Sequence, residues 1–130
     1  MSYNLFISHA WKYSDDYKKI VEMLNEAKYF SWKNYSVPEH DPFDEEEDLK
    51  RALEGQIRPV NAVIIIAGMY ANHSDWIEFE VKFAKTSSKP LIVVKPWGQE
   101  RIPLYLQENA TVMVGWNTDS IVKAIRDYSI

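Results

Sequence analysis

Two periods of hydrophobic and polar positions take turns along this chain. Apolar runs of strand length lie at 3–8, 61–67, 90–95 and 111–114, a short aromatic-rich strand is expected at 31–36, and the stretches between several of these carry apolar residues at helical spacing. A first helix is expected to open at Ser14, whose hydroxyl can cap it, with Asp15 and Asp16 favouring the dipole in the first turn. Its apolar stripe is Tyr17, Ile20, Val21, Leu24 and Ala27. The second strand gives way to a polar loop at 37–46 that holds Pro38 and Pro42. Asp44 and Glu47 have the spacing of a capping box, so a second helix is expected from there to about Ile57, ahead of Pro59. A loop is expected at 68–73, and a third helix from Ser74 or Asp75 to about Ser87. Pro96, Trp97 and Gly98 break the fourth strand. A loop containing Pro103 leads to the fifth, and Thr118 is expected to cap a final helix whose stripe is Ile121, Val122 and Ile125.

The run at 61–67 is apolar without alternation, which a strand shows when both its faces are covered. Strands alternating with helices imply a doubly wound parallel sheet. Five strands in this length predict a flavodoxin-like, three-layer α/β fold with a five-stranded parallel sheet. The 130 residues fit one domain, 1–130, without internal repeats or low-complexity segments.

Composition narrows the function. At 46% hydrophobic residues the chain can build a core. The net charge of −4, with a run of acids between 39 and 48, speaks against nucleic acid as a partner. There are no cysteines, so disulfides and thiolate zinc sites are excluded. His9, His40 and His73 lack metal-ligand spacing, and no metal is expected. The N-terminus lacks the basic start and long apolar run of a signal peptide, and the longest apolar run is too short to span a bilayer. A soluble, cytoplasmic protein without membrane contact is the expectation.

In such folds ligands bind beyond the carboxyl ends of the strands. The segments to inspect are 8–14, 37–46, 68–75, 96–103 and 115–117. A dinucleotide-binding Rossmann turn and a P-loop both need glycines after the first strand, where this chain has Ser8, His9, Ala10 and Trp11. A phospho-accepting receiver needs an acid at the end of the third strand, where Ile66, Ala67, Gly68 and Met69 stand. Ser8 as a nucleophile has no evident base and acid partners. On the third helix, Ile77, Val81 and Ala84 have the spacing of a core stripe, and Trp76, Glu80 and Phe83 form the stripe beside it. A carboxylate one turn beyond a tryptophan, near the ligand edge, is a functional candidate. From spacing alone, a solvated glutamate beside a partly exposed tryptophan is the simpler account.

The motifs alter that balance. Phe6, Ile7, Ser8 and His9 resemble the opening motif of TIR domains. Trp76 to Glu80 resembles the W-x-x-x-E helix of NAD-cleaving TIR domains, and the segment 36–42 stands where those domains carry their BB loop. The runs 94–98 and 114–118 resemble the bacterial TIR-like family of the Thoeris defence protein ThsB. The resemblance covers nearly the whole chain. It implies an enzyme that cuts the nicotinamide–ribose bond of NAD, a substrate here and not a resident cofactor. The product implied is an ADP-ribose-derived signal, linear or cyclic, read by a separate effector protein after a phage component triggers synthesis. By position Glu80 would be catalytic. Phe6, Ser8, His9, Ala10, Trp11, Asp41 and Trp76 would line the substrate pocket. Self-association through TIR surfaces is also implied.

Plainer roles stand beside these. His9 can simply end a strand, Trp11 can be loop packing, and His40 and Asp41 can shape a turn before Pro42. Two other functions remain open: a non-enzymatic TIR scaffold that binds other TIR domains, and a nucleoside deoxyribosyltransferase-like enzyme with a covalent glutamate.

Overall fold

The computed structural model of the chain describes residues 2–8, 15–36, 46–95 and 101–130. Strands and helices alternate: β1 (Ser2–Ile7), α1 (Asp15–Glu26), β2 (Ser31–Asn34), α2 (Glu46–Ile57), β3 (Ala62–Ile66), α3 (Tyr70–Thr86), β4 (Leu91–Val94), α4 (Leu104–Asn109), β5 (Val112–Val114) and α5 (Thr118–Tyr128). The strands form one sheet in the order β2-β1-β3-β4-β5. Every neighbouring pair is parallel. This is the expected flavodoxin-like, three-layer α/β architecture.

Burial follows the sheet order. Every residue of β3 and β4 is buried, as a central parallel strand requires. The edge strands β2 and β5 have no fully buried residue. Helix α1 buries Ile20 and Leu24, and α5 buries Ile121, Val122, Ala124 and Ile125. Leu53 and Ile57 of α2, and Ile77, Val81 and Ala84 of α3, are buried in the same core. Helix α1 packs beside α5, and α2 beside α3, so helices cover both faces. Among the described residues no helix is long and apolar enough to cross a membrane.

One side chain ties the amino-terminal edge of the sheet together. Asn61 Oδ1 accepts from the Asn4 backbone N–H at 2.7 Å, and Asn61 Nδ2 donates to the Ile130 carbonyl at 2.8 Å. The chain's last residue is thereby held to the start of β3.

Three local expectations are corrected. The segment 68–73 is not a loop: a 3-10 turn over Ala67–Met69 runs straight into α3 at Tyr70. Asn72, His73 and Ser74 are polar, but without a proline nothing there breaks a helix. The stretch before β5 contains α4, whose N-cap, Pro103, has its φ fixed at −55° by the ring, and whose Leu106 reaches the core. Helix α5 is capped by Asn117, whose side chain accepts from the Ser120 N–H, and Thr118 is its first helical residue. Asn accepts the same bond through a side-chain oxygen one bond further out than a threonine hydroxyl, and it ranks above threonine as a cap. The expected cap Ser14 and the capping-box residue Asp44 lie outside the described residues.

Candidate active site at the sheet switch point

From β1 the chain moves outward to β2 and then returns to the other side of β1 to form β3. The carboxyl ends of β1 and β3 therefore flank the topological switch point, where ligands bind in folds of this kind. Ser8 is the residue just past β1. Its backbone N–H donates to the Ile64 carbonyl of β3 at 2.8 Å, so the strand end is anchored to the centre of the sheet. On the other side the Tyr35 N–H donates to the Leu5 carbonyl at 2.8 Å, and Ser36 Oγ accepts from the Ile7 N–H at 3.0 Å. Ser8 thus sits on a strand end held from both flanks.

Glu80 comes from α3. That helix has 17 residues, a length of about 25 Å, whereas the five-residue β3 that precedes it spans only about 15 Å. Its first turns therefore overshoot the sheet, and a residue three turns in can stand level with the strand ends. Glu80 does so on the buried face, beside Ile77, Val81 and Ala84. It belongs to the core stripe itself, not to its border.

Ser8 Oγ donates a hydrogen bond to Glu80 Oε1 at 2.5 Å. Each residue is 1% exposed, and among the described residues these two are the buried polar side chains. Burial raises the Glu80 pKa to about 8, and the Ser8 hydrogen bond acts in the opposite sense, favouring the carboxylate. At neutral pH the resting carboxyl is therefore mostly protonated. A buried acid in that state waits for a cation: a positive charge brought beside it would favour ionisation.

The other candidates fall in three groups. Trp76, one turn before Glu80, is half-buried and stacks on Phe79, with ring centroids 5.8 Å apart and planes at 25°. Phe6 is 1% exposed within the hydrophobic core. His9, Ala10, Trp11 and Asp41 lie outside the described residues, as do Pro96, Trp97 and Gly98. Ser36 and Asn34 were not anticipated in this region. Asn34 Oδ1 accepts from the Ser36 N–H at 2.9 Å, and Asn34 Nδ2 donates to the Tyr17 hydroxyl at 2.7 Å, which links the end of β2 to α1. The sequence signal was the polar pair Asn34 and Ser36 closing an aromatic strand. A groove of about 520 Å³ between the end of α1 and α5, lined by Ala27, Val122 and Arg126 among others, contains neither Ser8 nor Glu80. Among the described residues no group of His, Asp and Glu is arranged to hold a metal ion.

A family model described as Thoeris protein ThsB, TIR-like domain, matches residues 6–101. The chain belongs to this ThsB TIR-like family. The matched segment takes in Ser8, Trp76 and Glu80. No curated protein matches the chain. Among solved structures, the Clostridium botulinum CMP N-glycosidase BcmB is similar at 13% identity with a TM-score of 0.56, over 95% of this chain and 98% of that one. A 3-dehydroquinate dehydratase-like protein from Bifidobacterium longum is similar at 11% identity and a TM-score of 0.51, over 98% and 94%. At such identities these likenesses are of fold. The ThsB TIR-like domain therefore shares a frame with proteins of different chemistry, and its own chemistry has to come from its site.

Proposed function

We propose that this ThsB TIR-like protein cleaves the bond between nicotinamide and ribose in NAD, with Glu80 as the catalytic carboxylate. The observation that carries the reading is a buried carboxyl at the switch point of the sheet, with its pKa raised to about 8 and a single hydroxyl partner among the described residues. A structural glutamate on a core stripe would be costly to retain without a task. The CMP N-glycosidase of similar fold acts, by its description, on the same class of bond.

The nicotinamide of NAD is a pyridinium cation. Bound beside Glu80, it supplies the opposite charge that burial denies the carboxyl, and the proton leaves. The C1′–N bond then breaks with its electron pair passing to the ring nitrogen. Nicotinamide departs neutral, so no general acid is required, unlike ordinary glycoside cleavage. The Glu80 carboxylate holds the ribose hydroxyls and stabilises the positive charge that develops on the sugar. Water attacking C1′ and losing a proton gives ADP-ribose. A hydroxyl or nitrogen of the same molecule attacking instead gives a cyclic product. Trp76 offers an apolar, aromatic surface for the pyridinium. NAD is substrate, and the reaction calls for no metal. The product is the signal read by a separate effector in Thoeris-type defence, with a phage component as the trigger.

The test is mass spectrometry of NAD and its products in cells expressing the wild type or Glu80→Gln, with and without phage challenge. Nicotinamide and an ADP-ribose isomer or conjugate should appear with the wild type alone. Products that persist in a folded Glu80→Gln variant would remove the assignment. No Glu80-dependent change across a panel of phages would favour a TIR scaffold.

A further inference from the structure

We propose that Ser8 is the positioning residue for Glu80: its hydroxyl holds Oε1 against the end of β1 and so leaves Oε2 as the oxygen that meets the substrate. This rests on the reading of Glu80 as the reacting carboxylate, and it replaces the role of pocket-lining contact expected for Ser8. A glutamate on a helix has three side-chain torsions, and apolar neighbours such as Ile77 and Val81 give its carboxyl no direction. Ser8 supplies one. Its backbone is fixed by the Ile64 carbonyl at 2.8 Å, and the residue before it by Ser36 Oγ at 3.0 Å. The hydroxyl therefore approaches from a rigid strand end, and at 2.5 Å the contact lies at the short end of the range for hydroxyl-to-carboxyl bonds. Its one hydroxyl proton is committed to Glu80 and its backbone N–H to the Ile64 carbonyl, so Ser8 has no donor left for a substrate. Among the described residues no other group bonds to the Glu80 carboxyl, so orientation rests on this one donor.

The same bond acts on the proton. A hydroxyl donating to a carboxylate favours the ionised form, against the burial that favours the neutral one. Among the described residues, burial and Ser8 are the two influences on Glu80, with no charged side chain contributing. Removing the hydroxyl leaves burial alone, and Glu80 should hold its proton to higher pH.

The experiment is a pH titration of the Glu80 side-chain carboxyl by carbon-13 NMR, its signal assigned with Glu80→Gln, in the wild type, Ser8→Ala and Ser8→Thr. NAD turnover is measured on the same preparations. In Ser8→Ala the Glu80 midpoint should move up by about one pH unit. Its kcat should fall tenfold to a hundredfold, roughly the cost of misplacing a reacting group by about 1 Å, with KM changed far less. Ser8→Thr should restore both. Ser8→Cys, nearly isosteric but a weak donor, serves if Ser8→Ala fails to fold. A folded variant with the wild-type midpoint and kcat would overturn the proposal, and so would a raised KM with unchanged kcat, which would make Ser8 a substrate contact. Should the wild type not cleave NAD, the enzyme reading falls by that result. The titration still decides the pairing, because it needs no substrate.

Discussion

Ser36 Oγ accepts a hydrogen bond from the backbone N–H of Ile7 at 3.0 Å, one residue before the serine that meets Glu80. The last residue described after β2 thus pins the end of β1. The Ile7 N–H is partly buried, so losing its acceptor leaves a donor poorly satisfied. Ser36→Ala should cost about 1 kcal/mol of stability. Urea unfolding should show a lower midpoint at an unchanged slope. A midpoint equal to the wild type's would mean that water replaces the hydroxyl without loss.

Asn61 makes two such ties at the opposite edge, to the Asn4 N–H and the Ile130 carbonyl. Asn61→Ala removes an acceptor and a donor together and should destabilise by about 1–3 kcal/mol. The site is at the other end of the strands, so NAD cleavage per folded molecule should be unaltered. Thermal unfolding and turnover on the same sample check both halves of that statement.

The parts of the fold set by hydrophobic period were legible in the sequence. The unbroken run Val63, Ile64, Ile65 and Ile66 announced a central strand, and Ile121, Val122 and Ile125 announced the buried face of α5, because each pattern reflects burial directly. Element ends were less legible. Polar residues such as Asn72 and His73 suit a loop or an exposed helical turn equally well, and helix α4 is too short to show a period. Glu80 stood out as a candidate, but its burial did not. The Trp76, Glu80 and Phe83 stripe gave it a border position, whereas α3 is rotated so that Glu80 shares the core face with Ile77 and Val81. Its partner Ser8 is 72 positions away in sequence, a relation that only the pairing of β1 with β3 brings about.

Trp76 stacks on Phe79 and lies one turn before Glu80. If its ring also receives the pyridinium, Trp76→Ala should raise the KM for NAD several-fold with a smaller change in kcat, the mark of binding shared by ground and transition states. The lost aromatic pair should also cost about 1 kcal/mol of stability. Trp76→Phe should recover most of both. A KM that stays at the wild-type value in Trp76→Ala would confine the ring to packing.

The acid strength of Glu80 should be visible in the rates. In the free protein its pKa stands at about 8, and the ionised form is the one that stabilises a developing cation. The ratio kcat/KM, which reports the free enzyme, should therefore rise with pH and level off above pH 8. The bound pyridinium favours the carboxylate, so the rise in kcat should lie at lower pH. Steady-state rates between pH 5 and about 9.5 test this. A kcat/KM that is flat across that range would remove Glu80 ionisation from the reaction.

The same raised pKa links folding to pH, with a sign that can be worked out. An unfolded chain exposes Glu80 at its ordinary value of 4.5, whereas the folded protein holds the proton up to about 8. Between those values the folded state binds more protons, so the stability slope with pH is negative. The contribution is fully present below pH 4.5, is lost progressively as pH rises, and is gone above about 8. Each pH unit between the two midpoints is worth about 1.4 kcal/mol, so the full window amounts to ~5 kcal/mol. Glu80→Gln keeps the shape and an oxygen for Ser8 but cannot ionise. It should therefore match the wild type below pH 4.5, exceed it increasingly up to about pH 8 and keep a constant lead above that, with thermal midpoints diverging by several degrees at least. Parallel stability curves for the two proteins would show that Glu80 ionises in the fold as easily as in water, and the buried, protonated resting state would have to be abandoned.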